Sequence, residues 1–187
     1  MSQRINIFEA RRSVADLGSN IRVKISGVNL DAGGEIIPGS DVTITLLEGG
    51  SEIGHIMLSR AEDFELDGYS VWQVYGASAL SGWGPFLYDL GMEVCGTIMS
   101  DRTMVSGEAF NIWQHYQDKR GDITRVQIPA GSINIPGLKG SFNTFQLRDT
   151  GFLGRWPLAA AFHRADGGTP IINQLESSSR VIWDTKN

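Results

Sequence analysis

Residues 69–116 read YSVWQVYGASALSGWGPFLYDLGMEVCGTIMSDRTMVSGEAFNIWQHY, and the order of elements in this stretch decides the fold class. Tyr69 to Ala77 is rich in Val, Trp and Tyr, which suits a buried strand. A glycine-bearing loop, Ala79 to Gly84, follows. From Gly84 to Cys95, residues Phe86, Leu87, Leu90 and Val94 recur at helical spacing, with Pro85 suited to the first turn and Gly96 to the exit. Thr97 to Met99 is a short strand. A second helix has Ser106 as its cap, Glu108 at its positive end and Lys119, Arg120 and Gly121 at its exit. Its apolar stripe is Ala109, Ile112, Trp113 and Tyr116. Ile123 to Ile128 returns to strand.

Before this stretch the chain reads as strands and turns. Arg4 to Phe8 and Asn20 to Ile25 alternate, Glu9 to Leu17 suits a short helix, and Asp31 to Gly39 has turn chemistry. Asp41 to Leu47 and Ile53 to Ser59 flank Gly49-Gly50, the strongest hairpin signal in the chain. Glu62, Asp63, Glu65 and Asp67 read as an acidic loop, either a solvated turn or a surface for a basic segment. Gly131 to Asn143 reads as a loop. Strands or short turns are expected at Phe142 to Leu147, Pro157 to Arg164, Ile171 to Leu175 and Arg180 to Trp183. The expectation is one α/β (α+β) domain over residues 1–187, with a core at about 41–128 and a β-rich, irregular C-terminal extension at 129–187.

Composition narrows the function. With 187 residues, 41% apolar and 20% charged, the chain can bury a core and is not a disordered one. A net charge of -5 argues against nucleic acid as partner, since phosphate binding needs a clustered basic face. The single cysteine, Cys95, excludes an internal disulfide and a multi-thiolate zinc site, and His55, His115 and His163 form no spaced metal motif. No apolar run approaches the roughly 20 residues that span a bilayer, and the N-terminus does not read as a signal peptide, so the expected compartment is the cytoplasm.

The loop into the first helix is where chemistry concentrates. Backbone N–H groups at a helix start lack internal acceptors and sit at the positive end of the dipole, so a pyrophosphate is a natural guest there. The same Gly-Trp-Gly-Pro run also serves as a plain turn. Asp101, just past the Thr97–Met99 strand, reads either as a general base at the strand's carboxyl end or as a turn aspartate. Tyr116 reads either as a proton donor or as a packing residue. Arg102 is a candidate for a phosphate or an acidic neighbour. Cys95 reads as core, and His163 has no nucleophile elbow to serve.

The segment Ser81-Gly82-Trp83-Gly84-Pro85-Phe86, followed by Met99-Ser100-Asp101-Arg102 and then by the helix with Ser106, Ala109, Ile112 and Trp113, resembles the GNAT-type acyl-CoA-dependent N-acetyltransferases. It looks most like a divergent GNAT-like branch encoded by tailed bacteriophages, and the likeness covers about residues 53–128. The resemblance implies a largely antiparallel, twisted mixed sheet flanked by helices. Two middle strands splay apart, and the pantetheine arm of acetyl-CoA lies in the gap like an added strand. It puts acetyl-CoA, as cosubstrate, against Ala77, Ala79, Ser81, Gly82, Trp83, Gly84 and Phe86. The chemistry it implies needs a base and an acid, for which Asp101, at the strand's carboxyl end, and Tyr116, one turn beyond Trp113, are the candidates. Ser81 stands where the family carries Gln or Arg, Phe86 where a small residue is usual, and Trp113 where the acid tyrosine stands. Two functions follow: acetyl transfer to an amine, on a host protein among the acceptors, or an inactive GNAT fold that binds a host or virion protein.

Overall fold

The computed structural model describes residues 17–29, 41–66, 68–102, 104–129, 137–138 and 157–185. Among them the order of elements is β1 (Ile21–Ser26), β2 (Asp41–Glu48), β3 (Ser51–Leu66), β4 (Tyr69–Ala79), α1 (Gly84–Cys95), β5 (Thr97–Ser100), β6 (Met104–Val105), α2 (Gly107–Lys119), β7 (Ile123–Gln127) and β8 (Gly137–Leu138). A 3-10 turn (Pro157–Ala159), β9 (Ala160–Arg164), α3 (Pro170–Ser177) and β10 (Val181–Asp184) complete it. The architecture is α/β. One mixed sheet of eight strands runs in the order β10-β1-β2-β3-β4-β5-β9-β7, and β6 and β8 form a separate pair. Within the large sheet, β1–β10 and β4–β5 are parallel and the other pairs are antiparallel.

Alternation builds the first three strands. Ile21, Val23 and Ile25 of β1 and Val42, Ile44 and Leu46 of β2 are all buried, while the residues between them point to the other face. Each such aliphatic side chain contributes about 1.5–3 kcal/mol when fully buried. Gly49 and Gly50, both at positive φ, make the turn between β2 and β3 that their sequence predicts. The helices cover one face of the sheet. Leu87 and Leu90 of α1, Ile112, Trp113 and Tyr116 of α2, and Ile172 and Leu175 of α3 join the strand residues in the main core. A smaller cluster of Leu66, Val71, Met99, Ile128 and Ala161 lies apart from it.

Several expectations need correction. The acidic segment is not a loop: β3 runs through it to Leu66, and Glu65 pairs with Ser70 across the hairpin at Gly68. Burial of Leu66 in the smaller cluster draws the strand on to that point. Ile171 to Leu175 is helix rather than strand. Pro170 opens it, and Ile171, Ile172 and Leu175 share one helical face against the core. Pro157 to Ala159 is a 3-10 turn, and only Ala160 to Arg164 is strand. Within the expected C-terminal extension, β9 inserts between β5 and β7 and β10 pairs with β1, so these two strands are integral to the sheet. The strand at Arg4–Phe8, the helix at residues 9–16, the turn at Asp31–Gly39, the element at Phe142–Leu147 and most of the Gly131–Asn143 loop lie outside the described residues.

Candidate functional site

The site begins at a fork in the sheet. β4 and β5 pair in parallel only from Val71/Thr97 to Val74/Ser100. β5 then ends, while β4 continues to Ala79, held by β3 alone among the described residues. At the fork β4 carries a bulge. Met57 of β3 opposes Gly76 and Leu58 opposes Val74, so Tyr75 is an extra residue without a partner on β3. The free edge of β4 therefore runs from Tyr75 to Ala79. Gly54 of β3 lets that end lie close, since a Cβ there would stand 2.8 Å from the Ala79 Cβ and 3.0 Å from the Ser78 carbonyl oxygen.

The chain then turns tightly into α1. The Leu80 N–H donates to the Ile53 carbonyl (2.9 Å), the Trp83 N–H to the Leu80 carbonyl (3.1 Å), and the Leu87 N–H to the Trp83 carbonyl (3.1 Å). Gly82 adopts φ +90° and has open space where a Cβ would stand. No acidic residue occupies the first turn of α1, so the dipole there is not offset by the helix itself. Beside this turn lies a cleft of about 310 Å³, at the low end of ligand-pocket size. Three walls form it. Ala77, Ser78 and Ala79 come from β4, Ser81, Gly82 and Gly84 from the loop and helix start, and Ser106, Glu108, Ala109, Asn111 and Ile112 from the start of α2. Leu87 and Tyr88 of α1 also contribute. The start of α2 is held by Ser106, whose Oγ accepts the Ala109 N–H at 3.2 Å.

Of the residues expected to meet a cofactor, Ala77, Ala79, Ser81, Gly82 and Gly84 line this cleft. Trp83 and Phe86 do not. Both are buried in the main core and pack edge-to-face at 5.9 Å, because large aromatic rings at a helix start gain more from the core than from a wet loop. Trp83, which its position in the loop offers to a ligand, thus lies behind the cleft wall rather than in it.

Asp101 sits half-buried where the chain leaves β5, and its Oδ2 accepts from Gln73 Nε2 of β4 at 3.3 Å. It stands at the fork rather than in the cleft wall. Tyr116 is brought to neither place. Its hydroxyl is buried and donates to Asp89 Oδ1 at 2.8 Å, and burial raises its pKa well above the usual phenol value. The tyrosine in the cleft wall is Tyr88, buried edge-to-face against Trp113 at 5.1 Å and likewise held protonated by burial. Arg102 faces carbonyls rather than a phosphate. It donates to the Ser100 carbonyl (2.9 Å), the Leu158 carbonyl (3.0 Å) and the Ser100 hydroxyl, and burial lowers its pKa to about 10.

Sequence reading missed two acidic side chains of α1. Asp89 accepts from Arg120 at 3.0 and 3.2 Å, and Arg120 also reaches both oxygens of Asp122 at 2.8 and 2.9 Å. Glu93 accepts the N–H groups of Ile171 and Ile172, each at 2.9 Å, and so caps α3 from another helix. Both carboxylates sit on an otherwise apolar, buried helix, and a charge in such a run is the signal that a partner must exist. Glu108 was noted only as a helix-end charge, yet it is the one acidic or basic side chain among the described cleft-lining residues.

Cys95 packs against the core with its thiol pKa pushed up by burial, which suits a structural residue. His163 donates from Nδ1 to the Arg164 carbonyl at 2.9 Å and stacks on Tyr69 at 4.7 Å. Among the described residues its buried Nε2 has no hydrogen-bond partner, a serine included. Among the described residues no cluster of His, Cys, Asp or Glu suits a metal ion, and no helix is long and apolar enough to cross a membrane. No protein-family model matches the chain, and no curated protein matches it.

Proposed function

We propose that the chain is a GNAT-like acyltransferase that binds acetyl-CoA in the cleft and transfers the acetyl group to an amine. The observation that carries this reading is the fork: a parallel strand pair opens after four residues onto a cleft at a helix N-terminus. An extended arm with amide groups fits the free edge of β4 as a strand would. Ala77 and Ala79 present small side chains there, and the open space at Gly82 admits a phosphate to the main chain.

Each step then falls to a named group. The acceptor amine must be deprotonated, since a lysine amine has a reference pKa of about 10.4. Asp101, held at the fork by Gln73, is the carboxylate assigned to that proton. Attack of the nitrogen on the thioester carbonyl carbon forms the C–N bond and leaves charge on the carbonyl oxygen. The Tyr75 bulge, where the register against β3 shifts, is the place on β4 that suits a backbone donor to that oxyanion. Breaking the C–S bond releases a thiolate, and Tyr88 in the cleft wall is the hydroxyl that replaces Tyr116 as its proton donor.

A second reading is favoured by one observation. The described lining holds Glu108 and no Lys or Arg, a poor complement to a cosubstrate carrying several phosphate charges. On that reading the fold is kept as a non-catalytic module that binds a host or virion protein. Titration calorimetry with acetyl-CoA and with free CoA separates the two. Heat from both, abolished by Gly84→Trp without loss of the folded state, supports the enzyme. A Cβ at Gly84 meets only Ile112 Cδ1, at 3.5 Å, and Gly84 lines the cleft, so a larger side chain there is expected to fill it. No heat at millimolar ligand removes the enzyme reading.

A further inference from the structure

The outer edge of the sheet, separated from β4 by three strands, is formed by a self-complementary strand whose outward side has no partner among the described residues. Among the described residues β10 is the last strand on that side and pairs only with β1. Its residues Ile182 and Trp183 are 37% and 45% exposed, whereas most large apolar side chains among the described residues are buried. Proteins protect such edges with Lys, Pro or bulges. The run Arg180-Val181-Ile182-Trp183-Asp184 has no Lys or Pro, and its pairing with β1 has no register shift.

Backbone direction fixes which groups face out. The Val23 N–H donates to the Arg180 carbonyl at 2.8 Å, so Arg180 points its backbone groups toward β1. By alternation Ile182 and Asp184 do the same, and Val181 and Trp183 point theirs outward. In an antiparallel pairing of two copies with Ile182 opposite itself, Val181 of one copy faces Trp183 of the other. These are the residues with outward backbone groups, so both pairs are hydrogen-bonded. Ile182 then meets Ile182 in the closer, non-hydrogen-bonded position. The same register sets Arg180 of each copy against Asp184 of the other, a pairing of opposite charges on one face. A shift by one residue breaks the hydrogen-bond match, and a shift by two breaks the charge match.

We propose that the occupant of this edge is a second copy of the chain, joined about a two-fold axis at Ile182 into one continuous sheet. The contact is short, so the dimer belongs with the weak, reversible interfaces of less than about 1,200 Å². Arg180 and Asp184 already have partners within the chain, Arg180 at the Ser178 hydroxyl and Asp184 at Lys24 (2.9 Å), which orders both side chains at the edge. The proposal is independent of the cleft and of what it binds.

Sedimentation equilibrium of the full chain, from micromolar to millimolar concentration, tests it. The expected result is a reversible monomer–dimer equilibrium. Ile182→Lys, which sets two like charges opposite each other at an exposed position, should weaken it about tenfold or more with an unchanged circular dichroism spectrum. Trp183→Pro, which removes an outward N–H, should do the same. A chain that stays monomeric throughout overturns the proposal and leaves the edge to a different partner. So does a dimer that both variants form as tightly as the wild type.

Discussion

Tyr88 and Tyr116 are both buried phenols on helices, but they face different neighbours, and their substitution should separate catalysis from stability. Tyr88 lines the cleft, so Tyr88→Phe should lower kcat by about 10²- to 10⁴-fold with little change in melting temperature. Tyr116 donates a hydrogen bond to Asp89, so Tyr116→Phe should cost about 1–3 kcal/mol of stability and leave kcat near normal. Asp101→Asn keeps the Gln73 contact in shape and removes the base, so kcat should fall while stability holds. Rates and melting curves of the three variants check the assignment, and a normal kcat in Tyr88→Phe sinks the acid role. Position along the helix stripe suggested Tyr116 for that role because spacing reports a face, not which neighbour supplies the nearest carboxylate.

At the scale of elements, α1 ties the molecule together through two carboxylates. Asp89 joins it to α2 through Arg120, whose guanidinium also lies 5.3 Å from the Tyr116 ring. Asp89→Ala leaves a buried guanidinium with one partner fewer, and removing one side of a buried pair costs about 3–5 kcal/mol. Chemical denaturation should show that loss, and a change below about 1 kcal/mol would mean the pair is solvated. Glu93 joins α1 to α3. Burial raises its pKa above the ordinary carboxylate value, against the lowering effect of the Ile171 and Ile172 N–H groups and of Arg164. The native state thus holds this proton more tightly than the unfolded chain. Stability from this group is full below the ordinary carboxylate pKa and is lost as pH rises through the raised native value. Glu93→Gln should flatten that part of the melting-temperature profile. A profile identical to the wild type would show that Glu93 ionises normally.

For the whole molecule, the largest consequence is that β9 and β10, late in the chain, are part of the main sheet. β9 fills the place between β5 and β7, with Ile98 opposite Phe162 and Val126 opposite Ala161. Phe162 also stacks on Trp113 of α2 at 5.6 Å. A chain ended at residue 128 should therefore fail to fold cooperatively. Its near-ultraviolet circular dichroism should be lost, and a hydrophobic dye should bind the exposed core. A cooperative thermal transition in the shortened chain would contradict this dependence.

The residues alone determined the local elements. Strong alternation placed β1 and β2, two glycines placed the turn before β3, and Pro85, Ser106 and Gly96 bounded the two central helices. These signals act within a few residues, so a linear reading captures them. It failed wherever a distant partner decided the outcome. Ile171 to Leu175 is helix partly because Glu93, far away in sequence, satisfies its first N–H groups. Trp83 and Phe86 left the loop for a core assembled by strands and helices together. The fork, its bulge and the cleft exist only because β4 outruns β5 while β3 continues to hold it, and no single segment records that difference in length. Which tyrosine meets the cleft, and which is locked to Asp89, follows from how α1 and α2 cross. Local sequence sets backbone preference and amphipathic faces. Only packing between elements far apart in the chain sets which polar groups meet.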